Sequence, residues 1–272
     1  MRTVRLRRRW PTRILVSRQL DILALPPDVE EAVLELAGRC DLLLFGELHG
    51  TREVPALVAG LLTKLGSLGY GGLALEVPSD QREALSDWST GKTQAPPSFY
   101  AQPTKDGRGS SEALGLVQQA AGAGWQALCV DQAANQVMQH WADRDDWMAY
   151  NLLEQWAALC NGRRVAAVCG SLHARLAPPE GMGRLLRKAI SGGDDQWPSF
   201  AAAVHQRQPA LAIGAINVRF AAGAYVNMGQ RTIFPRPGAA AAVPWVRSGE
   251  PVYTLELWLP RANPATFLAN PR

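Results

Sequence analysis

Short apolar runs alternate along this chain with longer segments in which apolar residues recur every three to four positions. The runs are apolar throughout, which is typical of parallel strands that are covered on both faces. This alternation predicts an α/β fold with a central, mostly parallel sheet flanked by helices. The predicted strands are 41–46, 72–75, 125–130, 165–169, 211–216 and 252–258. The last run alternates more than the others, so we expect it to be an edge strand.

Helical patterns and two loops fill the intervals between the runs. The predicted helices are 28–36, 53–65, 112–121, 141–159 and 183–190. Segments 91–109 and 234–244 contain several prolines and glycines and are predicted to be loops, and a loop as long as the first is usually functional or disordered. We find no linker that divides the chain, so we expect one α/β domain over residues 23–272.

Ionisable residues follow each of the first four predicted strands. Glu47 and His49 follow the first, Glu76 the second, Asp131 the third and His173 the fourth. In open parallel sheets, ligands bind beyond the carboxyl ends of the strands. Taken alone, each residue has an ordinary structural explanation, such as a helix N-cap for Asp131. Together they favour one site at the carboxyl ends of the strands, with Glu47, His49, Glu76 and His173 as its catalytic residues.

Charged residues also open two of the predicted helices. In the helix 141–159, Arg144 and Asn151 share a face, with Asp145 adjacent. Such charges are usually a solvated turn, but an arginine can also bind a carboxylate of a neighbouring strand end through two hydrogen bonds. In the helix 53–65, the favourable position of an acidic residue in the first turn already explains Glu53. The predicted supporting or substrate-binding residues are Arg52, Glu53, Asp131, Arg144, Asp145 and Asn151.

The charge of the chain is unevenly distributed. Its 272 residues have a formal net charge of +4, and seven arginines precede the first acidic residue, Asp21. Such a run can attract an acidic partner or a nucleic acid, but a solvated basic arm over residues 1–22 is the simpler interpretation, and we expect no nucleic-acid partner. The arginines are not followed by a secretory apolar segment, and no stretch approaches the roughly 20 apolar residues of a membrane span.

The four cysteines form no CxxC pair, and three of them lie in or beside apolar runs. They are typical of buried thiols in a reducing compartment. We therefore expect a cytoplasmic protein without a membrane span that acts on a small molecule or a peptide.

Four motifs, found in one order, carry a resemblance to a known family. They are FGELHGTRE at 45–53, ALE at 74–76, RDxxMAxN at 144–151 and GSLHA at 170–174. This set resembles the erythromycin-esterase-like superfamily, which also includes the Tiki-like and ChaN-like proteins. In the esterase branch, the resemblance implies a metal-free hydrolytic site in which a histidine, here His49, is the general base on water. The Tiki-like branch implies metal-dependent peptide cleavage, and the ChaN-like branch implies binding of haem or iron.

Together, the residues and the resemblance favour a hydrolase acting on an ester, lactone or amide. His49, held by Glu47 or Glu76, would take a proton from water, while His173 or Arg52 would stabilise the oxyanion or protonate the leaving group. This hypothesis requires no cofactor.

Three alternatives stay open. A divalent metal could be held by Glu47, His49, Glu76 and His173. The same residues could serve a lyase or tailoring enzyme acting on a peptide or natural product. The protein could also bind haem or another ligand without catalysis. Tyr225, Asn227 and Arg231, which follow the fifth strand, are further candidates for lining the pocket.

Overall fold

The computed structural model describes residues 20, 22–137, 139–178, 197–235 and 242–271. Apart from Leu20 and Ile22, the predicted basic arm lies outside the described residues. The predicted helix 183–190 and the middle of the predicted loop 234–244 also lie outside them. The assignment of residues 23–272 to one domain therefore stays a prediction.

The helices of the described residues agree largely with the predicted ones. In chain order they are α1 Pro27–Gly38, α2 Glu53–Ser67, α3 Arg82–Ser89, α4 Ser98–Ala101, α5 Ser111–Gly122, α6 Trp141–Leu159 and α7 Phe200–Arg207, with a 3-10 helix at Ser79–Gln81 before α3. The sequence pattern missed α3 and α7, which have eight residues each. Helices this short contain too few apolar repeats to be recognised by periodicity. None of these helices combines the length and the apolar composition needed to cross a bilayer.

All six predicted strands are present, with shifted ends, and two short strands accompany them. The strands are β1 Leu42–Glu47, β2 Tyr70–Pro78, β3 Gln126–Asp131, β4 Arg164–Gly170, β5 Ile213–Val226, β6 Gln230–Ile233, β7 Trp245–Ser248 and β8 Leu255–Ala262. β5 is much longer than its predicted core and turns back into β6, so it extends well past the carboxyl end of β1.

The strands form one mostly parallel sheet in the order β3-β2-β4-β1-β5-β8-β7, and β6 pairs with β5. All neighbours from β3 to β8 are parallel, whereas the pairs β5–β6 and β7–β8 are antiparallel. The expectation that the sixth run forms an edge strand is wrong, because β8 lies between β5 and β7. Its alternation arises because Glu256 and Trp258 share a face with the arginines and the tryptophan of the neighbouring strands.

Helices cover both faces of the sheet. In β1, Leu43 and Phe45 pack into a core with α1, α2 and α5, while Leu42 and Leu44 pack on the other face with α6 and α7. Each of these four side chains is fully buried. This is the reason why the strand is apolar at every position. Because both faces are covered, the carboxyl end of β1 is where polar side chains of this strand reach solvent.

Three backbone segments meet tightly beside that end. Gly50 and Gly107 have φ values of +78° and +89°, in the left-handed region that favours glycine. A Cβ atom on Gly50 would lie 1.9 Å from the carbonyl oxygen of Val226, and one on Gly107 would lie 2.2 Å from the same oxygen. The amide of Val226 also donates to the carbonyl oxygen of Gly50 at 3.0 Å. The two glycines therefore hold the loop after β1, the 91–109 segment and the end of β5 together.

Replacing Gly50 by alanine should destabilise the protein by more than about 2 kcal/mol, because the left-handed backbone alone costs about 1–2 kcal/mol and the overlap with Val226 adds to it. The matched control is Gly91→Ala, since Gly91 also has a positive φ, +77°, but a Cβ there would meet nothing within 4 Å. Urea unfolding monitored by circular dichroism gives both free energies. Equal losses in the two variants would show that the contact with Val226 contributes nothing.

Candidate active site

The carboxyl ends of β1, β2, β3 and β4 bring the predicted catalytic residues together. In the sheet, Glu47 pairs with Gly170, the last residue of β4. Beyond these ends lies a cleft of about 310 Å³. It is lined by Glu47, Leu48, His49, Glu76, Asp106, Arg108, Arg144, Gly170, Ser171, Leu172, His173 and Asn227. All four predicted catalytic residues therefore face one space.

The ring of His49 lies between two carboxylates. Its Nδ1 is 2.8 Å from Oε1 of Glu47, and its Nε2 is 3.3 Å from Oε2 of Glu76. The first contact is possible because the two residues are two positions apart and point to one side. Gly170 leaves room for the ring, since a Cβ on this residue would lie 2.7 Å from Nε2.

This environment changes the protonation of His49. Burial by itself favours the neutral imidazole, but the negative charges of Glu76 and Glu47 outweigh burial and raise the pKa of His49 to about 10. The ring is therefore protonated at neutral pH in the free protein, and it becomes a base only after it loses this proton.

Glu76 is the centre of the hydrogen-bond network. Its Oε1 accepts from Arg144 and, at 3.2 Å, from Arg108, while its Oε2 accepts from the amide of Gly170 at 2.8 Å. Burial of this carboxyl group would raise its pKa, but the charges of His49 and Arg144 outweigh burial and hold the pKa well below the usual range. Glu76 is thus a fixed anion and cannot deliver a proton.

Asp131 binds the same two arginines. Arg144 donates to both of its carboxylate oxygens, from Nε at 2.8 Å and from Nη2 at 3.0 Å, and Arg108 also donates to it. This is the two-bonded arrangement that the sequence left open for Arg144. The helix N-cap interpretation of Asp131 is wrong, because α6 begins ten residues later and is capped at His140.

His173 and Asp145 fix the other side of Arg144. Nη1 of Arg144 lies 3.0 Å from Nε2 of His173, and Nδ1 of His173 binds Oδ1 of the buried Asp145. Because a guanidinium group can only donate, Nε2 accepts and the ring proton sits on Nδ1. Asn151 lies further back, where its amide donates to the carbonyl oxygens of Val130 and Asp131. His173 therefore orients Arg144, and Asn151 orients the end of β3.

Arg108 also lines the cleft, although the sequence pattern did not predict it as a site residue. This residue sits in the 91–109 segment, which was expected to be functional or disordered, and its guanidinium reaches Asp106 at 2.8 Å besides Glu76 and Asp131. The only sequence sign was its position between Gly107 and Gly109 in an unusually long Pro- and Gly-containing loop. Such a loop does not identify which of its polar residues points inward.

Other predicted residues lie outside the cleft. Arg52 is half-exposed and donates from Nε to the carbonyl oxygen of Pro264 at 2.6 Å. Glu53 accepts from the backbone and side-chain nitrogens of Asn263, at 3.0 and 2.7 Å, and burial raises its pKa. Of the three candidates that follow the predicted fifth strand, Asn227 lines the cleft, whereas Tyr225, in β5, and Arg231, in β6, do not. The position of Arg52 gives no support to a role in oxyanion stabilisation.

The arrangement of the donors does not fit the metal site considered from the sequence. Among the described residues, no three His, Cys, Asp or Glu side chains are placed to share a metal ion. The oxygens of Glu76 accept from two guanidinium groups and an amide, and Nε2 of His173 accepts from Arg144. A metal would have to displace these arginines.

Comparisons with known proteins give matches by structure. No family model and no curated protein matches the sequence. A mutant of the erythromycin esterase EreC in its open conformation matches with a TM-score of 0.63 and 10% identity, over 92% of this chain and 98% of that one. A succinoglycan biosynthesis protein matches with a TM-score of 0.63 and 9% identity, over 92% and 96% of the two chains.

A third structure, of a Bacillus cereus protein, matches with a TM-score of 0.59 and 10% identity, over 92% of this chain and 95% of that one. At such low identity these matches establish the architecture only. The chain therefore shares the α/β fold of the erythromycin esterase EreC, which confirms at the level of the fold the resemblance carried by the four sequence motifs.

Proposed function

We propose that this protein is a hydrolase of an ester, lactone or amide, with His49 as its catalytic acid and base. The observation that carries the proposal is the position of the His49 ring between Glu47 and Glu76, in a cleft that is also lined by Arg108 and Arg144. A histidine held by carboxylates in this way has a fixed orientation and a stabilised charged form. The fold shared with an erythromycin esterase agrees with this reaction class.

In the proposed reaction, the neutral imidazole of His49 takes a proton from water through Nε2 while the water oxygen attacks the carbonyl carbon. The C–O or C–N bond then breaks, and the imidazolium returns the proton to the leaving oxygen or nitrogen. Glu47 holds Nδ1 throughout. Because Glu76 stays ionised, it stabilises the imidazolium and exchanges no proton with the substrate.

The oxyanion is assigned to the guanidinium groups of Arg108 and Arg144. Both side chains line the cleft and keep about a seventh of their surface exposed, at 15% and 14%. Fixed cationic donors stabilise negative charge that develops on a carbonyl oxygen. Arg52, the oxyanion candidate from the sequence, points away from this space towards Pro264. The proposal therefore assigns the oxyanion to Arg108 and Arg144 instead of Arg52.

A panel of esters, lactones and amides tests the reaction class. Mass spectrometry of the products should show the addition of one water, because hydrolysis adds water and elimination does not. Metal analysis of the purified protein, with rates before and after chelation, should show turnover without a stoichiometric metal. Products whose masses add up to the mass of the substrate would favour a lyase. Saturable binding without turnover would favour a binding protein.

The pH dependence of kcat/KM gives a further prediction. Only neutral His49 can act as the base, so kcat/KM should rise with pH until the pKa of about 10 is passed. Replacing Glu47 by glutamine removes a negative charge that raises this pKa, so the rise should move to lower pH by about 1–3 units. The matched control is Glu154→Gln on the exposed side of α6, which should not move the profile. An unshifted profile in the Glu47 variant would show that His49 is not the titrating base.

A further inference from the structure

A small cavity adjoins the cleft, with which it shares three lining residues. Its volume is about 20 Å³, and a space of roughly 10–15 Å³ already holds one water molecule. Glu47, Glu76 and Arg108 line both this cavity and the cleft, whereas Tyr100 of α4 lines only the cavity. The cavity is thus in direct contact with the carboxylate that holds His49.

Two residues that line this cavity each have a side-chain oxygen without a hydrogen-bond partner in the described parts of the chain. The hydroxyl of Tyr100 makes no hydrogen bond there, although this residue is only 1% exposed. Glu47 uses Oε1 for His49, and no described residue donates to its Oε2. Among the described residues, the only fully buried side-chain oxygen without a partner is Oε2 of Glu53. The Tyr100 and Glu47 oxygens therefore each border space that is open to a water molecule, and ordered water commonly satisfies such groups.

The identity of these groups suits a bridging water. A tyrosine hydroxyl can donate or accept, a carboxylate accepts, and a guanidinium donates, which gives a water the two to four polar partners that it needs. The negative charge of Glu47 contributes, after burial, to raising the pKa of Tyr100, which indicates that the two groups are electrostatically close. The remaining lining residues include the apolar Leu75, Leu116 and Val168, so the water would be held at the polar end.

We propose that this cavity binds one ordered water, which bridges the Tyr100 hydroxyl and Oε2 of Glu47, and that Tyr100 is a positioning residue for catalysis. The water donates to Glu47 and fixes its carboxylate, and Glu47 in turn fixes the ring of His49. The second part of this inference rests on the proposed function, whereas the water site does not. In this proposal, the 91–109 segment contributes Tyr100 to the site as well as Arg108.

High-resolution crystal structures of the wild type and of Tyr100→Phe test the water site without any assay. The wild type should show a water within hydrogen-bond distance of the Tyr100 hydroxyl and of Glu47, and the variant should lose it or show it displaced. In steady-state kinetics, Tyr100→Phe should lower kcat about tenfold, the value of one hydrogen bond to a charged group. KM should not change, because Tyr100 does not line the cleft.

Tyr70→Phe is the matched control. Tyr70 is also buried, but its hydroxyl donates to the carbonyl oxygens of Ala37 and Cys40, far along the sheet from the site. This variant should lose stability and keep kcat. A cavity without water in the wild-type crystal would overturn the water site. An unchanged kcat in Tyr100→Phe would overturn the positioning role, and a fall in kcat of the same size in both variants would also do so. If no substrate is turned over, the crystal structures still decide the water site.

Discussion

Replacing His49 by glutamine should lower kcat/KM by about 10²–10⁴-fold, the range that a positioned acid–base group contributes. Glutamine keeps a polar side chain that can still donate to Glu47, but it cannot take a proton from water. The fold should be kept, but stability should fall, because glutamine removes the positive charge that lies between the carboxylates of Glu47 and Glu76. Hydrolysis kinetics and thermal unfolding of the purified variant give the two quantities separately.

The control for this experiment is a second histidine outside the site. His205 lies on the exposed side of α7, so His205→Gln should hydrolyse substrate like the wild type. A His49 variant that keeps its rate within about threefold, well below the contribution of an acid–base group, would exclude His49 as the catalytic base. It would leave Glu47 as the carboxylate to examine next.

The sequence predicted the centre of the fold and the grouping of the candidate site residues for a simple physical reason. Strands buried on both faces are apolar at every position, so their ends are easily read, and the residue after each end lies at the same edge of the sheet. Glu47 and Glu76 lie at the carboxyl ends of β1 and β2, and His173 lies three residues past the end of β4, so all three line the cleft. Their positions depend on the sheet alone.

The sequence does not predict the positions of residues that depend on contacts between distant segments. Arg52 is close to His49 in sequence, but the start of α2 directs it to Pro264, over two hundred residues away. Arg108 is far from His49 in sequence, and the contact of Gly107 with Gly50 and Val226 brings it into the cleft. No periodic pattern encodes contacts of this kind.

The sequence was also ambiguous about the charged residues at the start of α6. The sequence allowed either a solvated turn or a bond to a strand end for Arg144. The choice depends on burial, which a pattern of charges does not give. In the structure, only 14% of the Arg144 side chain is exposed, and it joins Glu76, Asp131 and His173.

Replacing Arg144 by methionine should destabilise the protein by about 3–5 kcal/mol, because it leaves buried charges without their partner. Glu76 and Asp131 are both about 95% buried, and in the described part of the chain Arg108 would then be the only guanidinium group bound to them. Activity should fall as well, since one of the two oxyanion donors is lost. The control is Arg207→Met, which removes an exposed ion pair with Asp146 and should cost at most about 1 kcal/mol.

A double variant separates the loss of charge balance from the loss of packing. Arg144→Met combined with Asp131→Asn removes one negative charge together with the positive one, so part of the stability should return. Activity should not return with it, because the donor to the oxyanion is still missing. Chemical denaturation and kinetics of the wild type, the two single variants and the double variant give the free energy of coupling between the two residues. If the second change recovers no stability, the cost of the first lies in packing of the Arg144 stem and not in the unpaired carboxylates.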